Sequence, residues 1–178
     1  MADNRKHQTR RKLEMALSEL LSKQNFNQIT IQEIARLAGV SRGGFYTHFH
    51  DKYDLIEQYQ ARIFDQLEGI FAQQEIERGE IFRLAFVFLQ EEPLAASLLS
   101  PNGTSEIQLY FIAKFRQLII QDAKRFRKLK HLDDQELIYG AAYFSNALFG
   151  YYQTWLVNGM KESPEEMTSL LLTLLPDR

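Results

Sequence analysis

The chain of 178 residues contains no cysteine. That excludes disulfides, thiol nucleophiles and any metal or cluster site built on thiolate. Its four prolines and nine glycines are scattered, so no flexible linker is marked out. No apolar run approaches the roughly 20 residues needed to cross a bilayer. The opening Met1-Ala2-Asp3-Asn4-Arg5-Lys6 has no apolar stretch of signal-peptide type. The expectation is a cytoplasmic, soluble protein with no membrane partner. Catalytic signatures are lacking as well: there is no Gly-rich phosphate loop, no serine elbow and no His-Glu-x-x-His. His48 and His50 would project about 200° apart on a helix, and no carboxylates complete a metal set. No enzyme activity, metal or cofactor is expected.

What is present begins with an asymmetry of charge. The formal net charge is −2, but residues 1–52 hold nine Lys/Arg against five Asp/Glu, and residues 53–178 hold twelve against eighteen. A basic head on an acidic body suggests that only the head meets a polyanion. The expected division is residues 1–52 as the head and residues 53–178 as the body.

Apolar spacing of three and four recurs along the chain, and no segment alternates with period two over a useful length. This predicts an all-α protein of about nine helices and no sheet. In the first helix, Lys6 to Lys23, an apolar face is formed by Leu13, Ala16, Leu17, Leu20 and Leu21. Thr30-Ile31-Gln32-Glu33 is a capping box that opens a helix over Ile31–Ala38. Gly39 stops it, and Ser41 caps another short helix from Arg42 to about Phe49. Asp51 caps a long helix from Lys52 to roughly Phe71. Further helices are expected over Glu80–Gln90, with Ile81, Leu84, Ala85 and Phe88 inward, from Pro93 to near Leu99, and from Ser105 to about Lys128. The last two run from Asp133 to about Val157 and from Ser163-Pro164 to before Pro176.

Two helices of about eight residues across a tight Gly turn make a helix-turn-helix, here spanning Ile31 to Tyr46. Ala35 is small where the two helices approach, and Ile31, Ile34, Val40 and Phe45 can fill the core beneath. Arg42-Gly43-Gly44 leaves the second helix without bulk at its start, where free N–H groups suit phosphate. A generic helical corner would share much of this pattern.

The stretch Ser41-Arg42-Gly43-Gly44-Phe45-Tyr46-Thr47-His48-Phe49-His50-Asp51-Lys52-Tyr53-Asp54-Leu55 closely resembles the signature of the TetR family of transcriptional regulators. The resemblance runs from about residue 9 to 57, with Thr30, Ile34, Ala35, Ala38, Gly39 and Val40 also matching. It implies a helix-turn-helix head on a C-terminal helical bundle, and a homodimer on a palindromic double-stranded operator. By position it implies phosphate contacts at Thr30, Tyr46 and Lys52. It also implies a groove-facing set of Arg42, Gly43, Gly44, Phe45 and Thr47, with His48 as a packing and phosphate-side residue. Arg42 suits a bidentate guanine contact or a phosphate contact, and Phe45 suits a thymine methyl or the core. Lys6, Arg10, Arg11 and Lys12 add cationic charge nearby.

The body is rich in aromatic residues. In the TetR family such a body often encloses an effector. Phe64, Phe86, Tyr110, Tyr143 and Tyr152 are the candidates here, the tyrosines because a buried hydroxyl needs a partner. The Asp133 helix carries small residues and the final helix carries leucines, which points to a dimer interface at Ala141, Ser145, Leu148, Leu171 and Leu174. The segment from Tyr151 to Met167 resembles the subgroup that includes regulators of dihydroxyacetone-kinase operons. The function implied is a repressor released from its operator by an unknown small-molecule effector. The alternative is an activator controlled by a protein co-regulator.

Overall fold

The computed structural model describes residues 2–71, 78–125 and 133–174. Among them are nine α-helices and no strand. They are α1 (Ala2–Leu21), α2 (Ile31–Leu37), α3 (Arg42–Tyr46), α4 (Lys52–Phe71), α5 (Arg78–Glu91), α6 (Pro93–Leu99), α7 (Ser105–Arg125), α8 (Asp134–Val157) and α9 (Pro164–Leu174), with a 3₁₀ turn at Phe26–Gln28. The all-α architecture is as expected. The proposed extension of α7 to Lys128, and Leu175 beyond α9, lie outside the described residues.

The helix starts follow their caps. Thr30 and Glu33 form a reciprocal capping box, as do Asp133 and Glu136. Ser41 Oγ accepts from the Gly44 N–H at 3.0 Å. Asp51 Oδ1 accepts from the N–H groups of Tyr53 and Asp54, both at 2.8 Å. Each acceptor satisfies donors that have no carbonyl one turn back.

Two boundaries differ clearly from expectation, the others by no more than one or two residues. Helix α1 begins at Ala2, ahead of Lys6. Helix α3 closes at Tyr46 and does not reach Phe49. Gly43 and Gly44 are poor helix formers, and the chain then tightens, with the His48 N–H bonded to the Phe45 carbonyl at 2.9 Å.

The residues group into two compact units, Met1–Asp65 with Glu92–Thr104, and Gln66–Glu91 with Ser105–Arg178; the division falls within α4. In the first unit α1 packs on α2 and α6, and α2 on α3. Leu13, Leu17, Leu21, Phe26, Ile34, Phe45, Leu55, Leu98 and Leu99 are fully buried there. The turn after α6 depends on Gly103, where a Cβ would stand 1.9 Å from the Leu98 carbonyl oxygen. A polar tie links α1, α4 and the start of α6. The Tyr59 hydroxyl donates to Glu92 at 3.0 Å and accepts from the Ala95 N–H at 2.9 Å. Arg62 bridges Glu14 at 2.9 Å and Glu92 at 3.6 Å.

In the second unit α7 packs on α8, and α5 on α9. Helix α5 is turned from its expected register. Phe86 and Leu89 join Ile81 in the core, whereas Leu84, Ala85 and Phe88 are only half-buried. The cause is Phe86, which meets the edges of Tyr151 and Trp155 at ring separations of 6.0 and 5.6 Å.

Candidate nucleic-acid interface

The helix-turn-helix is built on its turn. Gly39 has φ +69, a left-handed conformation in which an L side chain is strained, although a Cβ there would touch nothing. The chain reverses, the Val40 N–H bonds to the Ala35 carbonyl at 2.9 Å, and Ser41 starts α3. Ala35 is 2% exposed, as its place between the helices requires.

Arg42, Gly43, Tyr46 and Thr47 are exposed on α3 and its C-cap, and Gly44 is half-buried. Arg42 and Tyr46, four residues apart, share a face. The guanidinium lies 5.8 Å from the Tyr46 ring centroid, and Nη2 donates to the phenol oxygen at 3.5 Å. The Thr47 hydroxyl donates back to the Gly43 carbonyl at 3.0 Å, leaving its lone pairs for an outside donor. Thr30 is exposed at the start of α2. Its hydroxyl accepts from the Glu33 N–H at 3.2 Å and donates to Glu33 Oε2 at 2.7 Å. The hydroxyl's bond to Oε2, with that of the Thr30 backbone N–H to the same oxygen at 2.8 Å, holds the Glu33 carboxyl below its ordinary range.

Three of the candidates turn toward the protein interior. Phe45 is 0% exposed and packs on Phe49 at 5.7 Å, so it belongs to the core and is not open to a thymine methyl. His48 is half-buried and its Nδ1 is buried without a partner. Burial, then the charges of Arg10 and Lys6, push its pKa down and disfavour the charged ring. Lys52 turns its ammonium into the protein, onto the backbone oxygens of Phe26, Asn27 and Ile29. Arg10 is also engaged, donating to Gln58 and lying 5.0 Å from the Phe49 centroid. Lys6, Arg11 and Lys12 are exposed. Sequence reasoning missed Gln58 and Asn102. The latter takes the Phe26 N–H on its carbonyl at 2.9 Å from 76 positions away, a pairing with no local signal.

The body candidates separate. Phe64 and Phe86 are buried, in the first and second unit respectively. Tyr152 is 4% exposed and its hydroxyl has no partner; burial pushes its pKa up. Tyr143 is 70% exposed and Tyr110 37% exposed. Among the dimer candidates, Ala141, Ser145 and Leu171 are buried by their own chain. Leu148 is half-buried and Leu174 exposed. The exposed stripe of α8 is Tyr139, Tyr143, Ala147, Gly150, Thr154 and Val157, one helix face away from the expected one.

No helix among the described residues is long and apolar enough to cross a membrane. Residues 79–177 match a family model for the C-terminal region of a transcriptional regulator, and residues 16–59 match that of the bacterial regulatory proteins of the tetR family. The transcriptional repressor BepR of Brucella suis biovar 1 (strain 1330) is 38% identical over 55 residues, which is 31% of this chain and 26% of that protein. The chain thus spans about a quarter of that curated relative. Two solved structures share the fold. NalD, secondary repressor of the MexAB-OprM multidrug efflux pump in Pseudomonas aeruginosa, superposes with TM-score 0.72 at 18% identity, covering 95% of each chain. The dihydroxyacetone kinase operon activator DhaS superposes with TM-score 0.64 at 17% identity, covering 93% of each.

Proposed function

Because the chain belongs to the TetR family of bacterial transcriptional regulators, we propose that residues 1–52 bind double-stranded operator DNA and residues 53–178 sense an effector and dimerise. The observation that carries the DNA reading is the exposed face of α3. There Arg42 and Tyr46 stand side by side beyond the Ser41 cap, with Phe45 turned inward as the anchor. In this reading α3 enters the major groove with Arg42 at a base edge. Gly43 and Gly44 let the backbone approach, Thr47 meets the groove wall, and Thr30 and Tyr46 take flanking phosphates. His48 backs this face as a packing residue.

The working mode is a cytoplasmic repressor released by a small, largely apolar effector. BepR and NalD are both named as repressors, and the unpartnered hydroxyl of Tyr152, whose ring packs on Trp155, favours a ligand with a hydrogen-bond acceptor. Helix α4 has residues in both units and is the natural relay; an effector needs only to prefer one spacing of two heads. An activator under a protein co-regulator, the alternative mode, would leave that hydroxyl without a role.

The test is selection of duplexes from a random-sequence library on the full chain, followed by gel shift. A palindromic consensus with half-sites about 34–36 Å apart, or a multiple of that, is expected. Recovery of no enriched sequence would sink the reading.

A further inference from the structure

Lys52 opens α4, where a cation is well placed to reach a phosphate. Its ammonium instead sits among three backbone oxygens, those of Ile29 at 2.7 Å, Phe26 at 2.9 Å and Asn27 at 3.3 Å. An ammonium has three protons, so these acceptors engage all of them. It also lies 4.5 Å from the centroid of the Phe26 ring and 5.6 Å from that of Tyr53, within reach of a cation–π attraction. Burial pushes its pKa down while Glu33 supports the charge.

The turn so gripped is held from the other side as well. Phe26 is fully buried and its N–H donates to the Asn102 carbonyl at 2.9 Å, while the Asn102 side chain donates to the Leu21 carbonyl at 2.8 Å. Asn25 adds a local bond, its side chain accepting from the Asn27 N–H at 3.0 Å. The turn leads through buried Ile29 straight into Thr30, the N-cap of α2. Drawing Lys52 out to a phosphate would take a donor from all three carbonyls at once, which opposes the motion.

We propose that Lys52 is a positioning residue: its ammonium clamps the 26–29 turn, sets the place of Thr30 against the DNA backbone, and acts through that turn instead of on a phosphate of its own. The inference rests on the DNA-binding reading above.

Binding of the full chain to a fluorescent mixed-sequence duplex, followed against salt concentration, tests it, because phosphate contacts are sequence-independent. Lys52→Met and Lys52→Arg are each expected to lose about tenfold in affinity, as for one hydrogen-bonded contact, with the salt slope of the wild type. Arginine keeps the charge, but its planar fork cannot set three protons on three convergent carbonyls. A slope shallower by about 0.9 in Lys52→Met, restored by arginine, would instead mark a direct phosphate contact and overturn the inference. Combining Lys52→Met with Thr30→Val should cost no more than Thr30→Val alone; additive losses would show a merely structural role and also overturn it. A measurement on the wild type needs no variant to fold: the Lys52 ammonium should give a slowly exchanging nitrogen-15 signal that stays in place when duplex is added. Fast exchange in the free protein, or a shift on adding duplex, overturns the clamp alone. A wild type that binds no duplex overturns the DNA reading, and this inference with it.

Discussion

At the scale of single residues, exposure separates side chains that can read DNA from those that hold the reader. Arg42 is exposed and braced by Tyr46, and Phe45 beside it is enclosed. Arg42→Ala is therefore expected to weaken operator binding by about 1–3 kcal/mol and to relax preference at one base pair. Competition with duplexes substituted at each position checks this; a loss spread evenly over all positions would make Arg42 a phosphate contact. Tyr152 poses the opposite case, a buried hydroxyl with no partner. Leaving such a group unpaired costs about 1–3 kcal/mol. Tyr152→Phe should accordingly raise the melting temperature of the free protein and blunt its response to effector. A lower melting temperature would mean that the hydroxyl is satisfied after all.

Between elements, the joint of α1, α4 and α6 carries a cluster of charged side chains. Glu14 reaches Arg62 at 2.9 Å, yet burial outweighs that pairing and its pKa is raised above the usual 4.5, with Glu92 adding to the rise. The folded state thus holds the Glu14 proton more tightly than the unfolded chain does. The stability from this group is complete below about pH 4.5 and is lost as pH rises through the folded value. Glu14→Gln lacks that loss, so the stability of the variant relative to wild type should grow from acid toward neutral pH. Arg62 has a second carboxylate, Glu92 at 3.6 Å, which that substitution leaves in place. Urea unfolding over a pH series measures the difference, and a difference flat with pH would refute the burial of charge at this joint.

For the whole molecule, the exposed apolar surface offers a seat for the proposed second copy. Tyr139 and Tyr143 on α8 and Leu174 on α9 are each 70% exposed or more, and Leu170 is 51% exposed. Apolar stripes of this kind mark association surfaces. A two-fold pairing would bury the same patch on both chains and present two heads to one palindrome. Because Leu171 is already buried by its own chain, the informative variant is Leu170→Glu with Leu174→Glu. It should give monomers by analytical ultracentrifugation, with helical content unchanged and operator affinity lost. A variant that still sediments as a dimer places the interface elsewhere.

The starts of α2 and α3 and the Gly39 turn were legible in the chain because they depend on residues three or four apart: Thr30 with Glu33, Ser41 with Gly44. The TetR resemblance across residues 41–55 was legible for the same reason, being a contiguous string. The inward or outward sense of a side chain was not. Helix α8 is apolar or small nearly all round, so its pattern could not say that Ala141 and Ser145 face its own core while Tyr139 and Tyr143 face out; the packing of α7 against it decided that. Nor could it say that Lys52 meets carbonyls 23 to 26 positions earlier in place of phosphate, or that Phe26 is tied to Asn102. Those contacts join segments far apart in the chain, and only the folding of the first unit brings their donors and acceptors within bonding distance.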